Sequence, residues 1–431
     1  MPVLHSIFRA APKQVLLVFV ASILVVGVPT AAAQMETVLY PFCSQANCAD
    51  GAWPTGNLGI DADGNLYGAA GGGSPECSFW GCGVVFQLTP DGTETVVHSF
   101  SLDDLANGVV PSGGLVRDAD GNFYGETGWG GYTAGFCKED QGCGVVFQLS
   151  PAGVETVLYS FTGGKNGRGP GGGLILDSQG NLYGTTSGLT GDRGAGTAFR
   201  ISLTGAETVL YQFGAYKRDG KINSPQSLVM DSEGNLYGTT TNGGQPGRRS
   251  KTDSCYIGCG TVFKISAAGV ETVLHAFGGY KKKDGALPLA GLAIDKHGNL
   301  YGTTYEGGLY GYGTVFEITP SGAETVLHNF TGGTDGAFPF SGLVLDAQGN
   351  MYGTTWRGGT YTFGTVYQVT PSGVETVLHS FSGGADGGWP QNSGLVLDDQ
   401  NNIYGTTPAG GSLNGICSQV GGCGVLFKVS W

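Results

Sequence analysis

The sequence predicts an all-β fold: a seven-bladed β-propeller of four-stranded blades, its ring closed by the N-terminal strand pairing into the last blade. Three observations carry this prediction. Three phrases recur in fixed order, seven times each. Each set of phrases reads as four short strands. The two ends of the chain are out of step with the repeat by one strand. Self-similarity at this period marks a repeat architecture, and a four-stranded unit of about 50 residues matches a propeller blade.

The first phrase, "DxxGNLYG", begins at Asp61, Asp118, Asp177, Asp231, Asp295, Asp346 and Asp398. The second, "GTVFxIT", begins at Gly83, Gly144, Gly196, Gly260, Gly313, Gly364 and Gly424. The third, "ETVLHSF", begins at Glu36, Glu94, Glu155, Glu207, Glu271, Glu324 and Glu375. Copies of the first phrase lie 51 to 64 residues apart.

Within one repeat, strand A is "GLVLD", B is "NLYGTT", C is "GTVFKIS" and D is "ETVLHSF". All are short runs rich in β-branched and aromatic residues, bounded by turn formers. Six A–B turns carry Gly (Gly64, Gly121, Gly180, Gly234, Gly298, Gly349) and the seventh carries Asn401. Gly, then Asn, is the order of preference at a left-handed backbone position, so a tight hairpin is expected. The C–D turn, "TPSG" or "SPAG", is equally short. The chain after residue 33 starts on a D strand (Glu36–Phe42) and ends on a C strand (Gly424–Ser430). A closed ring would use that first strand as the outer strand of the last blade. A linear solenoid would need polar caps, and the sequence shows none.

The composite "GLVLDxxGNLYGTTxxGG…GTVFxITPxGxETVLHxF" resembles the Gloeo-Verruco (GloVer) tandem repeats of exported bacterial proteins, over essentially the whole chain after residue 33. The resemblance implies an exported, propeller-like array. It implies no defined reaction.

Residues 1–33 are expected to be a signal peptide. Arg9 and Lys13 give a basic start, Val15–Val28 is an apolar run shorter than a membrane span, and Ala31–Ala33 suits cleavage before Gln34. Residues 34–431 are then a single propeller domain with no transmembrane segment, in a secreted, periplasmic or cell-surface location. The formal charge of −13 argues against nucleic acid as a partner, which needs a basic face. Oligomeric state is not legible.

Ten cysteines fall in five close pairs: Cys43/Cys48, Cys77/Cys82, Cys137/Cys143, Cys255/Cys259 and Cys417/Cys423. An even count in an exported chain reads as disulfides. Four pairs sit in B–C connections of 14 to 21 residues, whereas the B–C connections without cysteine have 10 or 11. The bridges therefore restrain the longer loops, each contributing roughly 2 kcal/mol on the chain-entropy model. Metal binding is the weaker reading, since no C-x-x-C spacing or neighbouring histidine supports it. No cofactor or metal is expected.

Alternate connections of a meander lie at opposite ends of its strands. The A–B and C–D end is all tight turns, so the B–C and D–A end is the expected binding face. Five tryptophans map there: Trp53 and Trp389 in D–A loops, and Trp80, Trp129 and Trp356 in B–C loops, with Tyr132 beside them. Flat rings on that face suit stacking against sugars or peptide side chains. These six are the candidate ligand-binding residues, and an extracellular carbohydrate or protein is the expected partner.

Other motifs point to structure. His98, His275, His328 and His379 share a strand D position with Tyr40, Tyr159 and Tyr211, which reads as outer-strand packing. A "[DN]-G-x-x-P" phrase in the D–A loops (Asp50, Asn107, Asn166, Asp284, Asp335, Asp386) reads first as a turn. A ring of acids at a channel mouth is its sharper alternative. A basic cluster (Lys217, Arg218, Lys221, Arg248, Arg249, Lys251, Lys281, Lys282, Lys283) reads as solvated loop charge. No catalytic constellation is apparent, and the chain is read as a binding or scaffolding protein. A polysaccharide lyase or glycosidase and a purely structural surface protein are the alternatives.

Overall fold

The computed structural model describes residues 35–73, 81–138, 141–187, 196–214, 226–244, 255, 258–279, 282–391, 394–413 and 417–431. The expected signal peptide, Cys77, Trp80, and all of the basic cluster except Lys282 and Lys283 lie outside them. Residues Gln34–Trp431 form one compact unit. It is built of β-strands joined by turns, with a few 3-10 turns and one short helix, Cys417–Val420. Among the described residues, no helix is long and apolar enough to cross a membrane.

Each repeat forms an antiparallel meander in the order A–B–C–D. Repeat 5 is representative: Ala293–Ile294, Leu300–Thr304, Thr314–Ile318 and Glu324–Asn329. In repeats 1 and 2 strand A is longer, Ala52–Ile60 and Val109–Arg117, and the two touch through a parallel pairing of Asn57 with Gly114. The last sheet takes Val396–Leu397, Ile403–Thr407 and Val425–Ser430 from the C-terminal end. Its fourth strand is Met35–Pro41, from the other end of the chain, paired from Met35 opposite Ser430 to Pro41 opposite Val425.

Burial explains the strand sequences. Strand C is buried on both faces except at one position, as in Thr314–Ile318, so it reads as a nearly continuous apolar run. Strand D has one strongly exposed Thr and is otherwise half-buried, as an outer strand should be. The conserved look of the "DxxGNLYG" copies has a local cause. In repeat 3, Asp177 Oδ1 accepts the backbone N–H groups of Gln179 (2.9 Å) and Asn181 (2.7 Å). Its Oδ2 accepts Asn181 Nδ2 (2.8 Å) and Tyr183 Oη (3.0 Å). The turn residue Gly180 has φ +83°, and its counterpart Asn401 has φ +62°. The glycine after the tyrosine is needed for space: a Cβ on Gly184 would meet the Phe199 ring at 2.5 Å.

Neighbouring repeats are joined by a recurring aromatic contact. The phenylalanine ending strand D of one repeat packs edge-on against the strand C ring of the next. The centroid distances run from 4.9 Å (Phe213–Phe263) to 5.4 Å (Phe100–Phe147). The series includes Phe42 against Phe86 at 5.0 Å and Phe381 against Phe427 at 5.2 Å. Such pairs contribute about 0.5–1.5 kcal/mol each beyond area burial.

Candidate functional site

The D–A loops hold an unusual backbone. In six repeats the residue before the loop proline has positive φ: Trp53 (+54°), Val110 (+59°), Gly169 (+56°), Leu287 (+56°), Phe338 (+57°) and Trp389 (+52°). Bulky and β-branched residues rarely occupy this region, and doing so costs on the order of 1–3 kcal/mol. A single hydrogen bond recurs at all six. Each N–H donates to the carbonyl just before strand C of the preceding repeat, from 2.7 Å (Trp389 to Phe363) to 2.9 Å (Trp53 to Cys423). The backbone is thus fixed while the side chain varies as Trp, Val, Gly, Leu, Phe and Trp. Sequence reasoning missed this feature because a residue before proline is expected to be extended. The available signal was that variation ahead of a constant proline.

Among the described residues, the aromatic side chains of these loops gather most densely over repeats 5 and 6. Tyr305 lies 5.0 Å from Phe338, 5.6 Å from Phe340 and 6.3 Å from Trp356, centroid to centroid. The Arg357 guanidinium stacks 4.2 Å above the Trp356 ring, a cation–π contact that leaves its charge at the rim. Tyr310 (55% exposed) and Tyr361 (56%) stand on the same B–C loops. These loops are short and lack cysteine, and Trp356 is the one candidate that the sequence pattern placed on them.

The candidate residues separate into two groups. Trp129 and Tyr132 are exposed, 49% and 45%. Trp53, Trp356 and Trp389 are half-buried and packed: Trp53 against the cluster of Ala52, Cys417 and Cys423, Trp356 against Tyr305 at 6.3 Å, and Trp389 against Phe363 at 5.3 Å. Beneath the loops lies a cavity of about 260 Å³ lined by residues of every repeat, among them Thr55, Val110, Gln226, Ala290, Phe340 and Gly394.

The loop aspartates do not ring a channel mouth. Each closes the turn after strand D, as when Asp386 accepts the Ser382 N–H at 2.8 Å and Asp335 the Thr331 N–H at 2.8 Å. The strand D histidines turn toward them, with His379 Nε2 3.3 Å from Asp386 Oδ2 and His328 Nε2 3.6 Å from Asp335 Oδ2. Burial lowers the basicity of both imidazoles, against the pull of these aspartates. The opening glutamate of the neighbouring strand D joins the same seam: His98 Nε2 lies 3.2 Å from Glu155 Oε2. One oxygen, Oε1, of Glu36, Glu94, Glu155, Glu207, Glu324 and Glu375 is buried without a hydrogen bond among the described residues. Burial, then a nearby aspartate, raises Glu36, Glu94 and Glu375 to about 7.

One further carboxyl breaks the repeat. Where five repeats have Thr after "YG" and one has Ala, repeat 2 has Glu126. It is fully buried, accepts the Gly173 N–H at 3.0 Å, and is raised by burial to about 8. Three of the threonines at this position bond the next repeat too, as Thr239 Oγ1 does to the Ala290 carbonyl at 2.8 Å. Glu126 is therefore an inter-repeat tie closed off from solvent.

The described cysteines are bridged as the pairing expected: Cys43–Cys48, Cys137–Cys143, Cys255–Cys259 and Cys417–Cys423. Cys82 is also disulfide-bonded.

Among known proteins, several solved structures are similar to this chain. The extracellular domain of a one-component system protein from B. thetaiotaomicron is 11% identical, with a TM-score of 0.53 over 92% of this chain and 40% of that one. A gluconolactonase from Xanthomonas campestris is 13% identical, with a TM-score of 0.42 over 92% of this chain and 89% of that one. A luciferin-regenerating enzyme is 12% identical, with a TM-score of 0.45 over 77% and 94%. At 11% identity the likeness to the first of these is one of fold alone. No curated protein matches the chain in sequence. The Gloeobacter/Verrucomicrobia repeat matches residues 131–348 and 221–418, overlapping stretches that together span more than half of the sequence. The chain belongs to the Gloeobacter/Verrucomicrobia repeat family.

Proposed function

We propose that this chain is an exported binding or scaffolding module, a closed seven-bladed propeller that recognises an extracellular carbohydrate or protein on its B–C/D–A loop face. The observation that carries this reading is the set of six D–A positions where a strained backbone is held constant and the side chain changes. A packing device would keep one side chain; a recognition surface varies it on a rigid frame. The aromatic cluster of Tyr305, Phe338, Phe340 and Trp356 continues that surface toward the cavity wall. Trp53, Trp129, Tyr132 and Trp389 extend it around the face, and Trp80 belongs to the same set by its place in the sequence. The Met35–Pro41 pairing and the unbroken series of inter-repeat Phe contacts support ring closure. The signal-peptide pattern and the disulfides support export.

A lyase or glycosidase is less well served. A glycosidase needs two carboxylates flanking the scissile bond, and among the described residues the cavity lining carries no titratable side chain. The test is a glycan-array screen of the oxidised chain from Gln34, each hit also assayed for turnover. Saturable binding without product, lost in Phe338→Ala and Trp389→Ala but kept in Val154→Ala on the opposite turns, is the expected result. An array with no hit at any concentration sinks the carbohydrate reading and leaves a protein ligand or a structural role.

A further inference from the structure

Four of the bridged cysteines come together. Cys43 and Cys48 lie on the loop after the first strand, and Cys417 and Cys423 on the B–C loop of the last repeat. Their four Sγ atoms all lie within 4.8 Å of one another. Among the described residues, no other group of three or more His, Cys, Asp or Glu ligand atoms gathers in this way. Among the described residues, the pairs Cys137/Cys143 and Cys255/Cys259 belong to no such group. Cys48, Cys417 and Cys423 are buried, and Trp53 packs against the cluster.

Bonds that involve no sulfur hold this arrangement. Cys43 N–H donates to the Gly51 carbonyl and Gly51 N–H to the Cys48 carbonyl, both at 2.9 Å. Buried Asp50 gathers the intervening loop, accepting Ser44 N–H at 2.7 Å and Tyr40 Oη at 2.7 Å. Gly422 N–H donates to the Cys417 carbonyl at 2.8 Å, and Trp53 N–H to the Cys423 carbonyl at 2.9 Å, tying the two loops together. Opening the bridges therefore leaves the backbone of the two loops held by bonds that do not depend on sulfur. Tetrahedral zinc thiolates have Zn–S distances of about 2.3 Å, which sets sulfur–sulfur edges near 3.8 Å. Four sulfurs within 4.8 Å reach those edges with small side-chain rotations.

We propose that in its reduced form this cluster is a four-thiolate site for a thiophilic divalent cation, zinc, which clamps the first and last segments of the chain together. Two equivalents of a dithiol reductant open the two bridges. Each bridge takes up two electrons and two protons, and each dithiol becomes its own disulfide. Zinc then displaces the four thiol protons as it binds, so affinity rises with pH. The oxidised cluster closes only its own two short loops. The reduced, metal-loaded cluster joins loops from opposite ends of the chain.

The experiment titrates zinc against a chromophoric chelator, using the chain from Gln34 in oxidised form and after anaerobic reduction with a phosphine, which does not compete as a thiol would. Cadmium in parallel reports thiolate ligation through its ultraviolet charge-transfer band. The expected result is one tightly held ion in the reduced chain and none in the oxidised chain. Affinity should fall more than ~100-fold in Cys43→Ser/Cys423→Ser and stay unchanged in Cys137→Ser/Cys143→Ser. Circular dichroism covers the case in which reduction loosens the fold: zinc should then restore the β spectrum of the parent and not of the first variant. A reduced chain, folded or unfolded, that binds no ion more tightly than Cys43→Ser/Cys423→Ser overturns the proposal. Equal binding by the oxidised chain overturns it as well.

Discussion

The aspartate that opens each A–B turn and the glutamate that opens each D strand are both carboxylates repeated seven times, yet folding pushes Asp177 and Glu375 in opposite directions. Asp177 is partly buried, which alone would raise its pKa, but the side chain of Asn181, two backbone N–H groups and Tyr183 donate to it and hold it below the usual range. Glu375 is also partly buried, has one oxygen without a donor and faces Asp335, and it rises to about 7. The number of donors, rather than burial, sets the sign.

The two sets place opposite limits on stability. The turn aspartates favour the fold above their ordinary pKa, and that contribution is lost as the pH falls through their lowered values. The seam glutamates are raised, so their contribution is complete below about 4.5 and is lost as the pH rises through about 7. His328 and His379 act against the glutamates, because their contribution is lost as the pH falls through their lowered values. With these opposing terms, the stability maximum is expected at mildly acidic pH.

The largest effect should come from removing a satisfied carboxylate. Asp177→Ala leaves four donors without their acceptor and is expected to cost about 3 kcal/mol in chemical denaturation at pH 6. A loss below about 1 kcal/mol would show that water replaces the carboxylate. Glu126→Gln should act next, and only at high pH. Glu126 reaches about 8 in the fold, so between pH 6 and 9 the parent should lose on the order of 2 kcal/mol more than the Gln variant does. Parallel pH curves for the two would mean that Glu126 is not neutral in the fold.

Glu375→Gln tests the seam with a smaller response. Allowing for its partial exposure, the variant should gain under about 1 kcal/mol over the parent at pH 8.5 and nothing at pH 4.5. An equal gain at both pH values would assign the effect to packing. Smallest is Asn401→Gly, which replaces the one non-glycine A–B turn residue at φ +62°. A change of a few tenths of a kcal/mol in either direction is expected, since Asn tolerates this conformation. A large change in the thermal midpoint would give the Asn401 side chain a role beyond the turn.

Much of the fold was legible because its determinants are local. "DxxGNLYG" closes its own turn within a few residues, so the glycine, the asparagine and the repeat could be read directly. The site was less legible. Trp129 and Tyr132 were named from their place in the loops, but their exposure was not legible, and on the loops around Tyr310 and Tyr361 only Trp356 stood out. The positive φ at Trp53, Val110, Leu287, Phe338 and Trp389 is imposed from outside, by a carbonyl of the preceding repeat. No propensity for a residue before proline predicts that. The histidine–aspartate pairs were read as packing because their partners belong to different parts of the repeat.

The sequence by itself determined the strands, their order in each repeat, the tight turns and the spacing of the cysteine pairs, all of which follow from contacts within a few residues or from a period. Only the tertiary structure decided which pairs of cysteines meet, which glutamates lose their solvent and which tryptophans stay exposed. Those outcomes depend on what a neighbouring repeat brings against each side chain. Burial and hydrogen bonding across that seam are long-range quantities that a repeat pattern does not encode.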